Sequence, residues 1–157
     1  MKKVLRKHIM KNLEEILDEW QIDCEIPRND LAETSRQTPT LHAKYLSILS
    51  TYKLRLRKAE MDQKSLLKDK WLYYNGKMDK DAIDARGWPY DPLGGLKVLK
   101  GDMDYYYNSD EDIQASELKI EYLKSCIDTL KDIVDALKWR HQTIGNIIKW
   151  KVFEAGG

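Results

Sequence analysis

Nine cations fall between Leu41 and Lys77 (Lys44, Lys53, Arg55, Arg57, Lys58, Lys64, Lys68, Lys70 and Lys77) against three carboxylates (Glu60, Asp62 and Asp69). Nine minus three gives this stretch a charge of about +6 in a 157-residue chain of net charge +1. The run that closes it, Lys68-Asp69-Lys70-Trp71-Leu72-Tyr73-Tyr74-Asn75-Gly76, adds aromatic rings. Cations that follow phosphates and ring faces on which unpaired bases stack are what single-stranded nucleic acid requires. On a helix turning about 100° per residue with Lys53 at zero, Arg57 falls at about 40°, Lys64 at about 20°, Lys68 at about 60° and Trp71 at about 0°. These five make a stripe, and with Lys70 and Tyr73 of the closing run they are the candidate DNA-binding residues. Such binding is indifferent to base sequence and weakens with salt. The competing reading is a solvated helix face with Trp71 and Tyr74 in the core.

Other chemistry finds little support. The sequence has no glycine-rich phosphate loop, no G-x-S-x-G, no H-E-x-x-H and no Cys/His metal spacing. His8, His42 and His141 are scattered, and neither Cys24 nor Cys126 has an adjacent basic activator. Asp79, Asp81 and Asp84 form an acidic run that lacks the glycine and following glutamate of a calcium loop. The expectation is a non-enzyme with no catalytic residues, no metal and no cofactor.

A stripe of this kind must be carried on long helices, and the apolar spacing supplies them. Leu41, Tyr45, Leu49, Tyr52, Leu56, Ala59, Leu66, Leu67 and Tyr74 recur at helical intervals on one face of the basic segment. The chain is expected to form a single all-α domain over 1–157: an N-terminal helix over 3–20, a basic helical segment over 30–75, an acidic irregular linker over 76–112 and a C-terminal helix over 113–152. The first helix carries cations at its start and Glu14, Glu15, Asp18 and Glu19 toward its end, against its dipole, so it should depend on a partner surface. Thr38-Pro39 divides the basic helix into two segments, and Asn75-Gly76 ends it. In the linker, Gly87, Pro89, Pro92, Gly94, Gly95 and Gly101 are turn chemistry, and residues 78–117 hold ten acidic against four basic side chains, or about −6. Tyr105, Tyr106 and Tyr107 can dock on the core or on a neighbour.

The C-terminal helix has the cleanest period. Leu123, Ile127, Leu130, Val134, Leu137, His141, Ile144 and Ile148 step by threes and fours as a heptad seam, which marks them as the oligomerisation residues. Tyr122, Cys126, Ile133, Ala136 and Ile147 widen the strip beyond one partner helix, so a second helix of the chain and a second subunit would share it. No segment reaches about 18 apolar residues, and the start MKKVLRKHIM lacks the apolar run of a signal. A cytoplasmic protein with two free thiols and no membrane partner is expected.

The basic helix closing in KDKWLYYNGK, the linker segment LKVLKGD and the chain end IIKWKVFEAGG together resemble the UvsY-like recombination mediators of T4-like bacteriophages. That family carries a lysine and an arginine one residue apart just before Tyr-Tyr-x-Gly, and ends in Phe-Glu-Ala-Gly after a long helix. The resemblance covers roughly residues 30–157 and maps the basic pair onto Lys68 and Lys70, with lysine standing where the family often has arginine. It implies long antiparallel helices assembling into a homo-oligomeric ring that binds single-stranded DNA. Its further implied partners are the phage recombinase (UvsX-like) and the phage single-strand-binding protein, in the cytoplasm of the infected host. The alternative from the residues alone is a coiled-coil scaffold whose basic stripe pairs with an acidic protein.

Overall fold

A reciprocal capping box starts the first helix. The Asn12 side chain accepts from the Glu15 N–H at 2.8 Å, and the Glu15 carboxylate accepts from the Asn12 N–H at 2.7 Å. In the computed structural model, which describes residues 11–157, α1 spans Leu13–Asp23. Residues 3–10 of the helix expected over 3–20 lie outside the described residues.

α2 runs from Leu31 to Tyr74 as one helix through Pro39, where two segments were expected. Interior proline costs about 3 kcal/mol because it removes an N–H and crowds the preceding turn. Pro39 and Ser35 are both exposed, so water can take the carbonyl that loses its partner. Gly76, at φ 65, ends α2: Lys77 N–H bonds Leu72 O at 2.8 Å and Gly76 N–H bonds Tyr73 O at 3.2 Å.

The span expected as an irregular linker carries two short helices, α3 (Lys80–Arg86) and α4 (Met103–Ser109). Local caps explain the first. The Asp79 carboxylate accepts from Ala82 N–H at 2.8 Å, and Gly87 takes the left-handed conformation at its end. Asp79 of the acidic run is therefore a helix cap. α5 spans Glu111–Glu154, and the Asp110 carboxylate caps it by accepting from the Asp112 and Ile113 N–H groups at 3.0 and 3.1 Å. The described residues are helices and turns without strands, and none of these helices is long and apolar enough to cross a membrane.

The chain divides into two compact units. One holds α1, α2 as far as Ser50, and α5 from Cys126 onward. Its core includes Ile16, Tyr45, Leu49, Cys126, Leu130 and Leu137, with Trp20 meeting Tyr45 edge-on at 5.4 Å. The misplaced charges of α1 find their partners here. Lys44 Nζ reaches Asp23 at 2.6 Å and Glu19 at 3.2 Å, Lys11 pairs with Glu19, and Tyr45 OH donates to Asp23 at 2.8 Å. Burial pushes the Asp23 carboxyl up, but the bonds from Lys44 and Tyr45 outweigh it and hold the group below its ordinary value. Buried Arg140 donates to the Asp23 and Glu25 carbonyls at 2.8 and 2.9 Å, closing the C-terminal end of α1.

The other unit covers Thr51–Ser125: the rest of α2, α3, α4 and the first turns of α5. Here α5 runs antiparallel to α2. Lys70 meets Asp110 and Asp112 at one end, while Lys124, raised chiefly by the neighbouring Glu121, also feels Glu60 at the other. Tyr52, Ala59, Tyr73, Ile83, Ile113, Ile120 and Leu123 are its buried apolar residues.

The seam residues are spent inside their own chain. Leu123 is buried in the second unit, and Ile127, Leu130, Val134, Leu137 and Ile144 are buried in the first, so the strip expected to serve an oligomer is core. His141 and Ile148 are exposed, and His141 Nδ1 lies 2.9 Å from the Lys138 carbonyl on its own helix, not in a buried seam.

Candidate nucleic-acid interface

The last turns of α2 separate the candidate residues by direction. Lys70 is 4% exposed. Its Nζ lies 2.9 Å from Asp110 and 2.7 Å from Asp112, and 3.8 Å from the centre of the Trp88 ring. Tyr73 is buried beside it, its OH donating to the Pro89 carbonyl at 2.6 Å and its ring 5.0 Å from Trp88. Asp110 therefore joins three things at once: it caps α5, pairs with Lys70 and accepts from Tyr74 OH at 2.6 Å. Burial raises its carboxyl, but Tyr74, Lys70 and the Ile113 amide prevail and the group titrates below its ordinary value. Burial, followed by the bond to Asp110, pushes the Tyr74 phenol well up.

The same cluster fastens the linker. Trp88 Nε1 donates to Asp112 at 2.8 Å, Arg86 pairs with Asp69, and Tyr107 OH donates to the Leu67 carbonyl at 3.1 Å. The Tyr106 ring lies 5.5 Å from that of Tyr74, tilted by 42°, whereas Tyr105 is exposed. Two of the three tyrosines thus pack on α2. Lys70 and Tyr73, expected at the DNA surface, are inside. Trp88 and Pro89 of the linker, with Asp110 and Asp112 at the start of α5, cover them.

The outward side of α2 keeps the rest. Lys53, Arg57, Lys64, Lys68 and Trp71 are all exposed. Among the described residues, Lys53, Lys64 and Lys68 have no carboxylate oxygen within 4.0 Å, and Arg57 has only Glu60 at 3.7 Å. Trp71, 40% exposed, carries the Lys77 ammonium 4.4 Å from its ring centre. The arrangement can hold phosphates along about four turns of helix and offer one ring at the end; nothing in it resembles a nucleophile, base or metal cage.

A signal for Lys70 was present in the sequence. It stands eighteen residues after Tyr52, five full turns of a 3.6-residue helix, and so shares the direction of the apolar face rather than of the stripe. Tyr73, seven residues after Leu66, lies within about 20° of the same face, but the groups it meets there, Trp88 and Pro89 of the linker, could not be read from spacing.

Comparison with known proteins agrees with the helical layout. A recombination protein of Enterobacteria phage T4, uvsY, is 25% identical over 144 residues, covering 92% of this chain and 98% of the relative. Crystal structures of the bacteriophage T4 recombination mediator protein UvsY superpose with a TM-score of 0.76 at 25% identity (92% of this chain, 98% of that one) and 0.74 at 23% identity (92% and 99%). The sequence profile described as "Recombination, repair and ssDNA binding protein UvsY" matches residues 19–157, and the chain belongs to that family.

Proposed function

We propose that this chain binds single-stranded DNA without sequence preference along the outer side of α2. As a homo-oligomer it acts as a recombination mediator, helping to load a phage recombinase onto strand covered by single-strand-binding protein. The observation that carries this reading is the row of exposed cations Lys53, Arg57, Lys64 and Lys68 leading to exposed Trp71. Lys53, Lys64 and Lys68, without carboxylate partners, and Arg57, with only the exposed pair to Glu60 at 3.7 Å, can displace counterions from phosphates, and an exposed ring stacks an unpaired base whatever its identity. Family membership and the T4 relative's role in recombination favour the same reading.

One stripe of four cations binds weakly, and repeating it in a closed assembly raises avidity by about 10²–10⁴. With Leu123, Ile127, Leu130, Val134, Leu137 and Ile144 occupied inside the chain, the C-terminal end of α5 is one apolar surface among the described residues left for assembly. Ile148, Trp150, Val152 and Phe153 are exposed there, with the Trp150 and Phe153 rings 5.8 Å apart. Exposed apolar residues at this density mark contact surfaces.

The test is a salt titration of binding to a single-stranded oligonucleotide, with native mass measured on the same sample. Lys64→Ala with Lys68→Ala should lower affinity and flatten the salt slope by about 0.7 per lost phosphate contact. Native mass should be a multiple of the 18.5 kDa chain. Unchanged affinity and slope would sink the stripe, and a monomer would sink the assembly.

A further inference from the structure

The exposed side of α2 is not made of cations alone. Leu54 is 74% exposed and Met61 57%, both in the same unit as the stripe. A step of seven residues on an α-helix returns to within about 20° of the same direction, so residues at this interval form rows along the surface. Leu54, Met61 and Lys68 make one row; Arg57, Lys64 and Trp71 make the row beside it, about 60° away. All six are exposed.

Exposed apolar side chains are ordinary on a protein surface, but Leu54 and Met61 stand in register with the cations of the stripe. A phosphate cannot use them. What can use apolar side chains set between cations is a strand whose bases are turned outward and unpaired, because base faces are apolar while the backbone beside them is charged. In a duplex those faces are stacked away and only phosphates and groove edges remain. We propose that Leu54 and Met61 are base-contacting residues that make the stripe prefer single strands over duplex, with Arg57, Lys64 and Lys68 taking the phosphates. This rests on the DNA-binding reading above and adds the origin of its selectivity.

The experiment uses the full chain, wild type and the double variant Leu54→Gln with Met61→Gln, which keeps side-chain length and helix propensity. Three probes of equal length are titrated by fluorescence anisotropy over a range of salt: oligo-dT, an abasic single strand, and a duplex. Wild type should bind oligo-dT more tightly than the abasic strand, and the double variant should lose about tenfold on oligo-dT alone. The salt slope should not change, since no cation is removed. If the variant keeps the wild-type preference for oligo-dT over both other probes, the inference is overturned. If instead its native mass falls, the two side chains serve contacts between copies and the inference is equally overturned. A wild type that binds none of the probes fails the DNA-binding reading itself, a result distinct from either.

Discussion

Replacing Lys70 with alanine should unfold this protein more readily instead of merely weakening its grip on DNA. The Lys70 ammonium is buried with Asp110, the side chains 5% and 4% exposed, at 2.9 Å. Removing one member of a buried pair leaves the other charge uncompensated, which costs about 3–5 kcal/mol. The second partner, Asp112, is about half exposed, so its contact at 2.7 Å adds little after solvent screening. The ring contact with Trp88 adds roughly 1–2 kcal/mol because the pair is desolvated. Relaxation and water entry into the truncated site offset part of this, so the lower end, about 3 kcal/mol, is the expected loss. For a chain of this length that lowers the melting temperature by about 6–12 °C. Thermal melts followed by circular dichroism should show the shift for Lys70→Ala and none beyond about 0.5 kcal/mol for Lys68→Ala, which has no partner to lose. Asp110→Asn combined with Lys70→Met should recover part of the loss, because the stranded charge is then gone. If Lys70→Ala melts like wild type while its DNA affinity falls and its salt slope drops by about 0.7, Lys70 is a phosphate contact and the reasoning fails.

Two other perturbations follow from the same geometry. Arg140→Ala strips the end of α1 of the donor to the Asp23 and Glu25 carbonyls; charge-assisted bonds of this kind contribute about 1.5–3 kcal/mol, so urea denaturation should shift by that amount, and an unchanged midpoint would contradict it. The Asp110 carboxyl titrates below its ordinary value of 3.8 in the folded chain, so its stabilisation is present above that value and is lost as pH falls through the lower, folded one. The wild-type melting temperature should therefore decline below about pH 4, and Asp110→Asn, less stable at neutral pH, should decline less steeply; parallel curves would remove Asp110 from the acid response.

The helices were readable because their signal is local. Tyr45, Leu49, Tyr52 and Ala59 announce one face of α2 by spacing alone, and all four are buried. The seam from Leu123 to Ile144 was equally plain, but periodicity says that a face is covered and not by what; here the chain itself covers it. The two short helices leave little trace in the periodicity because each is only seven residues long, and α3 is set by end chemistry, Asp79 and Gly87, rather than by a repeating apolar face. The fate of Lys70 depended on carboxylates forty residues away at the start of α5, a distance over which charge counting along the chain is blind.

That blindness changes the size of the electrostatic effect as well as its location. Of the nine cations between Leu41 and Lys77, Lys44 is held by Glu19 and Asp23, Lys70 by Asp110 and Asp112, and Lys58 by Asp62 at 2.7 Å. Arg55 packs 6.0 Å from the Tyr52 ring, and Lys77 covers Trp71. Four remain on the stripe: Lys53, Arg57, Lys64 and Lys68. At about 0.7 per phosphate on a single strand, nine contacts would give a salt slope near 6 for each chain, and four give about 3. The smaller number is set by direction around the helix and by pairing, since of the other five cations only Lys70 is buried. Under the function proposed above it also makes repetition of the surface more necessary, since four exposed cations on one helix bind a strand more weakly than several linked copies.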